Sequence, residues 1–129
     1  LTAYTGPENG FVITFTNGLA VYLSADTGHT SDMETIINGY YGAKLAVVNM
    51  GDIFSMGPRE AAFAVNELIR PKSVIPSHAN EAATNGGVAV PGSRTAEFVD
   101  LVAPNIDVHL PLSGLTMSFD RKGKCVAGC

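Results

Sequence analysis

Apolar residues along this chain come in short runs separated by polar, glycine-rich breaks, and the rhythm of the runs changes from segment to segment. "FVITFT" (Phe11–Thr16) is β-branched and aromatic, and "LAVYLSA" (Leu19–Ala25) follows across Asn17-Gly18. Two such runs joined at Asn-Gly predict a β-hairpin with a tight turn. "SDMETIINGYYG" then carries Met33, Ile36, Ile37 and Tyr40 at helical spacing, with Ser31 and Asp32 as candidate caps. "KLAVVNM" (Lys44–Met50) is a short, almost continuous apolar run, which suits a strand buried on both faces.

The second half repeats the alternation. Pro58 stands where a first helical residue is favoured, Pro71 ends the pattern, and Ala62, Val65, Leu68 and Ile69 form one stripe between them. "KSVIPSH" is the next strand, Asn80–Gly92 reads as a long loop, and "SRTAEFVDLVAP" is a helix capped by Ser93. "DVHLPL" and "GLTMSFD" read as two closing strands. A hairpin followed by alternating helices and strands predicts an α/β fold with a largely parallel sheet. In such sheets sites gather at the carboxyl ends of the strands. Asp26, Asp52 and His78 each follow a predicted strand, so all three are expected in one cleft.

Composition narrows the chemistry. The chain has 129 residues, 46% of them apolar and 16% charged, with a net charge of −4. That is enough apolar material for one domain with a real core. No Lys/Arg cluster offers a nucleic-acid surface, and no apolar run has membrane-spanning length. No nucleic-acid or membrane partner is therefore expected. Cys125 and Cys129 close the sequence in "CVAGC". Free thiols on a frayed tail and a small disulfide loop are equally compatible with it, and the disulfide would place the protein in an oxidising compartment such as the periplasm. No second ligand pair accompanies the cysteines, which argues against zinc there.

Asp26 poses the main question. A carboxylate at the end of a buried strand needs a cation, a second carboxylate sharing its proton, or backbone N–H groups. Asp26-Thr27-Gly28 matches the aspartic-protease signature, but those enzymes are nearly all-β and this chain has three helical segments. Asp26 and His78 together offer the oxygen and nitrogen donors that zinc, manganese or iron accept. His29 stands at the cleft mouth as a candidate substrate contact, with a polar surface role as the plainer reading. His109 alternates with apolar neighbours and reads as facing solvent. Met50, Phe54 and Met56 are expected in the core.

"GFVITFTNGLAVYLSADTGHTSDM", "LAVVNMGDIFSMGPREAAFAV" and "VIPSH" resemble, in this order and spacing, segments of the metallo-β-lactamase-like hydrolases, in their lactonase-like branch. The likeness covers residues 10–120. It implies that the whole chain, 1–129, is the C-terminal lobe of an αββα sandwich, a mixed sheet with helices on one face. It also implies that Asp26 bridges two divalent metal ions, with zinc first and manganese or iron as alternatives. His78 would be a terminal ligand, and Ser77 or Asp52 would lie behind it or toward substrate. Ala25 replaces the family's usual glycine, read here as a small change. The family's His-x-His-x-Asp-His cluster has no counterpart between Leu1 and Phe11. The resemblance therefore implies a partner, either a missing N-terminal half or a second chain, that supplies those ligands. The completed protein would hydrolyse an ester, lactone, amide or phosphoester bond in a small molecule. The alternative is a non-catalytic lobe kept as a binding scaffold.

Overall fold

A computed structural model of the chain describes residues 8–51, 54–79 and 82–129. Asp52, a candidate site residue, lies outside the described residues, as does Asn80 at the start of the predicted loop. Strands β1 (Phe11–Thr14) and β2 (Ala20–Leu23) form the expected antiparallel hairpin. Its turn is one residue longer than the Asn-Gly pair alone. Phe15 N–H still donates to Leu19 O at 2.8 Å, and Gly18 adopts φ +89° to close the loop. A three-residue loop with glycine in the left-handed region is the next commonest hairpin solution.

Strands β3 (Leu45–Asn49) and β4 (Ser73–Ser77) run parallel to β2. The hairpin β5 (Thr84–Asn85) and β6 (Val88–Ala89) interrupts the long predicted loop, and β7 (Asp107–Val108) then joins β4 in parallel. The main sheet has the order β1-β2-β3-β4-β7. Every parallel connection steps the same way across this sheet. Right-handed crossovers therefore leave all the helices on one face.

The helical segments are Met33–Asn38, α1 (Pro58–Phe63), its continuation Ala64–Ile69, and α2 (Arg94–Leu101). Met33–Asn38 and Ala64–Ile69 wind as π-helix, as in the bond from Gly39 N–H to Glu34 O at 2.9 Å. Met33 and Ile37 are buried, while Ile36 and Tyr40 of the predicted stripe face solvent. No side chain caps this segment at Asp32, whereas Ser93 Oγ caps α2 by accepting from Ala96 N–H at 3.1 Å. The helix face of the sheet follows the register Val12, Tyr22, Ala46, Val74, Val108. Against it pack Met33, Ile37, Ala61, Val65, Ile69 and Phe98.

Three expectations are corrected here. "GLTMSFD" does not close the main sheet. Its β8 (Ser118–Phe119) pairs instead with β9 (Cys125–Ala127), so the C-terminus is a strand rather than a frayed tail, and Cys125 is disulfide-bonded to Cys129. This hairpin folds onto the sheet face opposite the helices. Phe119 packs there with Leu19, Val21 and Leu45, and buried Ser73 Oγ donates to Gly123 O at 2.6 Å. Gly123 has φ +77°, and a Cβ there would stand 2.3 Å from Lys44 O, so no other residue permits this approach. His109 does not face solvent freely. It lies half-buried against Phe119 and Ser73, and burial pushes its imidazole below the usual histidine value against the upward pull of Asp107. Finally, Met50 and Met56 are core residues as expected, but Phe54 is 96% exposed.

Phe98 is fully buried where α2 meets the sheet. Phe98→Ala should destabilise the fold by about 3–5 kcal/mol. Urea unfolding checks this as a lowered midpoint with an unchanged slope.

Candidate functional site

Parallel β2, β3 and β4 end side by side, and the chain leaves each of them through a short polar segment. Beyond β2 come Ser24, Ala25 and Asp26; β3 ends in Asn49; β4 ends in Ser77, followed by His78. This shared carboxyl edge brings Asp26 and His78 together, with His78 Nδ1 3.0 Å from Asp26 Oδ1. Both side chains are open, at 71% and 44% exposure respectively. Ser77 extends the β3–β4 pairing, its carbonyl accepting from Met50 N–H at 3.1 Å. His29 turns to α1, where its ring meets Phe63 edge-on at 5.7 Å between centroids.

The backbone is held in sparsely populated conformations at both positions. Ala25 has φ +50° and His78 φ +60°, in the left-handed region that favours glycine. The change from glycine to Ala25 is therefore not small, because it places a Cβ where the turn demands a positive φ.

On the Asp26 side, what holds this conformation is a residue the sequence pattern concealed. Asn49 is 1% exposed. Its Nδ2 donates to Ala25 O at 2.5 Å, to Thr27 O at 3.0 Å and, more weakly, to Ser24 Oγ at 3.2 Å. Its Oδ1 accepts from Met56 N–H at 3.0 Å, and its own N–H donates to Ser24 Oγ at 2.9 Å. One carboxamide thus ties the Asp26 turn to the segment before α1. The only signal in the sequence was a polar residue placed late in an apolar run.

The donor set fits a metal ion. An oxygen and a nitrogen each about 2.0–2.2 Å from one ion lie roughly 3.0–3.5 Å apart, and the observed separation is at the short end of that range. Among the described residues no third His, Cys, Asp or Glu joins Asp26 and His78 in such a group.

No protein-family model matches the chain. A UPF0173 metal-dependent hydrolase of Pyrobaculum islandicum is 48% identical over 79 residues, covering 61% of this chain and 34% of that protein. One from Methanobrevibacter smithii is 40% identical over 103 residues, covering 80% of this chain and 41% of the relative. The chain is similar to one part of the UPF0173 metal-dependent hydrolases. It spans about two fifths or less of the length of these two relatives, in keeping with the likeness to a C-terminal half. Among solved structures, the metallo hydrolase Igni18 of Ignicoccus hospitalis superposes with a TM-score of 0.55 at 28% identity, over 75% of this chain and 40% of its own. The metallo-β-lactamase fold protein YhfI of Bacillus subtilis superposes with a TM-score of 0.54 at 14% identity, over 78% of this chain and 40% of its own. The mixed sheet with helices on one face is thus the architecture of metallo-β-lactamase fold proteins.

Two outcomes follow from the site's construction. Asn49→Ala strands the buried Met56 N–H and removes the Asn49 donor from the Thr27 carbonyl, while the Ala25 carbonyl keeps its bond from Ser24 Oγ. It should destabilise the protein by about 1–3 kcal/mol for each group that water does not reach, read from denaturant unfolding. Ala25→Gly should do the opposite. Relief of a left-handed alanine is worth about 1–2 kcal/mol, offset by about 0.5–1 kcal/mol of added chain entropy. A net gain of about 0.5–1 kcal/mol is expected, visible as a raised unfolding midpoint.

Proposed function

We propose that this chain is the C-terminal half of a metal-dependent hydrolase with a dinuclear centre, completed by an N-terminal half or a second chain that carries the histidine-rich ligands. The observation that carries the reading is the approach of Asp26 Oδ1 to His78 Nδ1, 3.0 Å apart at the ends of adjacent parallel strands. Asp26 would bridge the two ions and fix their spacing, and His78 would complete the coordination of one of them. Zinc suits this donor set best, and manganese or iron accept it as well. When bound, such a metal pair supplies a water deprotonated near neutral pH and polarises the scissile carbonyl or phosphoryl oxygen.

The chain's own residues act around that centre. The Asn49 carboxamide keeps the Asp26 turn in place by holding the Ala25 and Thr27 carbonyls. Phe54, fully in the open just past the end of β3, offers an apolar surface to a substrate. The substrate class that suits a lactonase-like branch is a small ester or lactone, with amides and phosphoesters open to the same chemistry. The sheet face away from the helices supports the partner. Leu23, Val47 and Ile75 are only half-buried there, and Phe11 and Ile13 are 59% and 41% exposed. A second layer packed on that face would bury them.

Ligand counting sets the test. Two ions of this kind need about six protein ligands, and the described residues of this edge offer two. The disulfide-bonded chain alone, after dialysis against zinc, should retain less than one ion by elemental analysis. The chain joined to its upstream half should retain two and gain hydrolase activity. In the joined protein Asp26→Ala should lower activity by at least about 10²-fold, and His78→Ala should weaken metal binding by about 10–100-fold or more. Two tightly held ions on the isolated chain would overturn this reading.

A further inference from the structure

A second group of ligand-type side chains lies away from the strand ends. Single donor atoms of His109, Cys125 and Cys129 all fall within 4.8 Å of one another. Three separate pieces of chain deliver them: the exit of β7, the start of β9, and the terminal residue. The proposed hydrolytic centre uses none of them.

His109 is prepared as a ligand by its neighbours. The Ser73 hydroxyl is fully buried and donates its proton to Gly123 O at 2.6 Å. Its oxygen is left to accept, and His109 Nε2 lies 3.3 Å from it. In the tautomer with the proton on Nε2, the ring donates to that oxygen and Nδ1 keeps its lone pair for a metal. A ligating imidazole is typically held this way, its far N–H fixed by an acceptor. The Phe119 ring, edge-on at 5.4 Å between centroids, further limits rotation of the imidazole.

The sulfur atoms are the other half. Bonded to each other they offer no thiolate. Once reduced, they place two thiolates beside an imidazole, the Cys₂His set that zinc accepts while keeping a fourth position open. Tetrahedral Zn–S bonds of about 2.3 Å hold two sulfurs roughly 3.7 Å apart, so reduction must first let the bonded sulfurs separate. Cys129 is exposed and Cys125 only partly covered, so a thiol can reach the bond. His109 and Cys129 also line a cavity of about 730 Å³, walled by Leu110, Leu112, Met117 and Val99, from which a fourth ligand can enter.

We propose that the Cys125–Cys129 disulfide is a redox gate over a zinc site formed by His109, Cys125 and Cys129. The exchange balances with a dithiol as reductant. Its thiolate attacks the disulfide, the Cys125–Cys129 bond breaks, and the dithiol closes into its own disulfide after delivering two electrons and two protons. Zinc then displaces both cysteine protons to solvent as two Zn–S bonds form. Reoxidation runs the other way and expels the ion. The site stands independently of the hydrolase reading.

Cobalt(II) is the probe. The full chain is reduced with a dithiol, freed of it without air, and titrated with cobalt beside an untreated sample. The reduced chain should develop thiolate-to-cobalt charge-transfer absorption and tetrahedral d–d bands that saturate at one ion per chain and bleach on adding zinc. The untreated chain should show neither. Cys129→Ser, at an exposed position, should lose the charge-transfer band. His109→Gln should weaken cobalt binding at least about tenfold, with circular dichroism confirming the fold. Asp26→Asn should leave the bands unchanged. A reduced chain without these bands, a His109→Gln variant that binds cobalt as tightly as the parent, or loss of the bands in Asp26→Asn would each overturn the proposal.

Discussion

Asn49 holds the carboxyl edge of this sheet together. Burying a primary amide is unfavourable unless its polar atoms are paired, and here the donors and the acceptor all find partners. Those partners belong to two different loops, so the amide is a cross-link as well as a satisfied group. Its importance is clearest beside the pair it positions. Asp26 and His78 are both open to water, where attraction between two side chains is worth little. Their 3.0 Å approach is set by the backbone that presents them, and that backbone is left-handed at Ala25 and at His78. Such conformations persist only where the surroundings impose them. On the Asp26 side, Asn49 and Ser24 do the imposing.

The sheet order sets the rest of the geometry. Successive parallel strands added in one direction align their carboxyl ends, which is why residues far apart in sequence meet at one edge. The same order sends every crossover helix to one face. The opposite face is then covered only in part, by the β8–β9 hairpin that Phe119 and the Ser73–Gly123 bond fasten down. Leu23, Val47 and Ile75 stay only half-buried on that face. A sheet with one finished face and one half-finished face is the form expected of a single lobe in a two-layer sandwich.

Much of this was legible in the residue pattern, and the failures have physical causes. The apolar run of β3, the short Val74–Pro76 core of β4 and the capped start of α2 identify themselves, since burial and capping act locally. Asp26 and His78 stand out because each is polar at the end of such a run. Asn49 does not, because what makes it matter is the register that sets it near Ser24 and against Ser77, and register is not visible in one strand. Ala25 looks harmless by size, and its cost lies in a φ that only the folded turn reveals. For β8 the strand pattern was sound, but it left the partner, β9, unspecified. Apolar alternation marks a strand without saying which edge it will join. His109 misled for a related reason, since the chain that covers it arrives from the far end of the sequence.

The two candidate centres sit at opposite ends of β4. Ser73, which orients His109, is its first residue, and Ser77, which precedes His78, is its last. Four steps of about 3.3 Å separate them by roughly 13 Å, too far for a ligand to serve both. Direct electrostatic interference between ions at the two ends is also weakened over such a distance wherever water and salt have access. Any influence of the cysteine redox state on the Asp26–His78 edge must therefore travel mechanically along β4. That strand is poorly suited to carry it. It is paired along its length with β3, and Pro76 stiffens it one residue before the end. The fold thus places the two candidate centres at opposite ends of one strand, far enough apart that neither can share a ligand with the other.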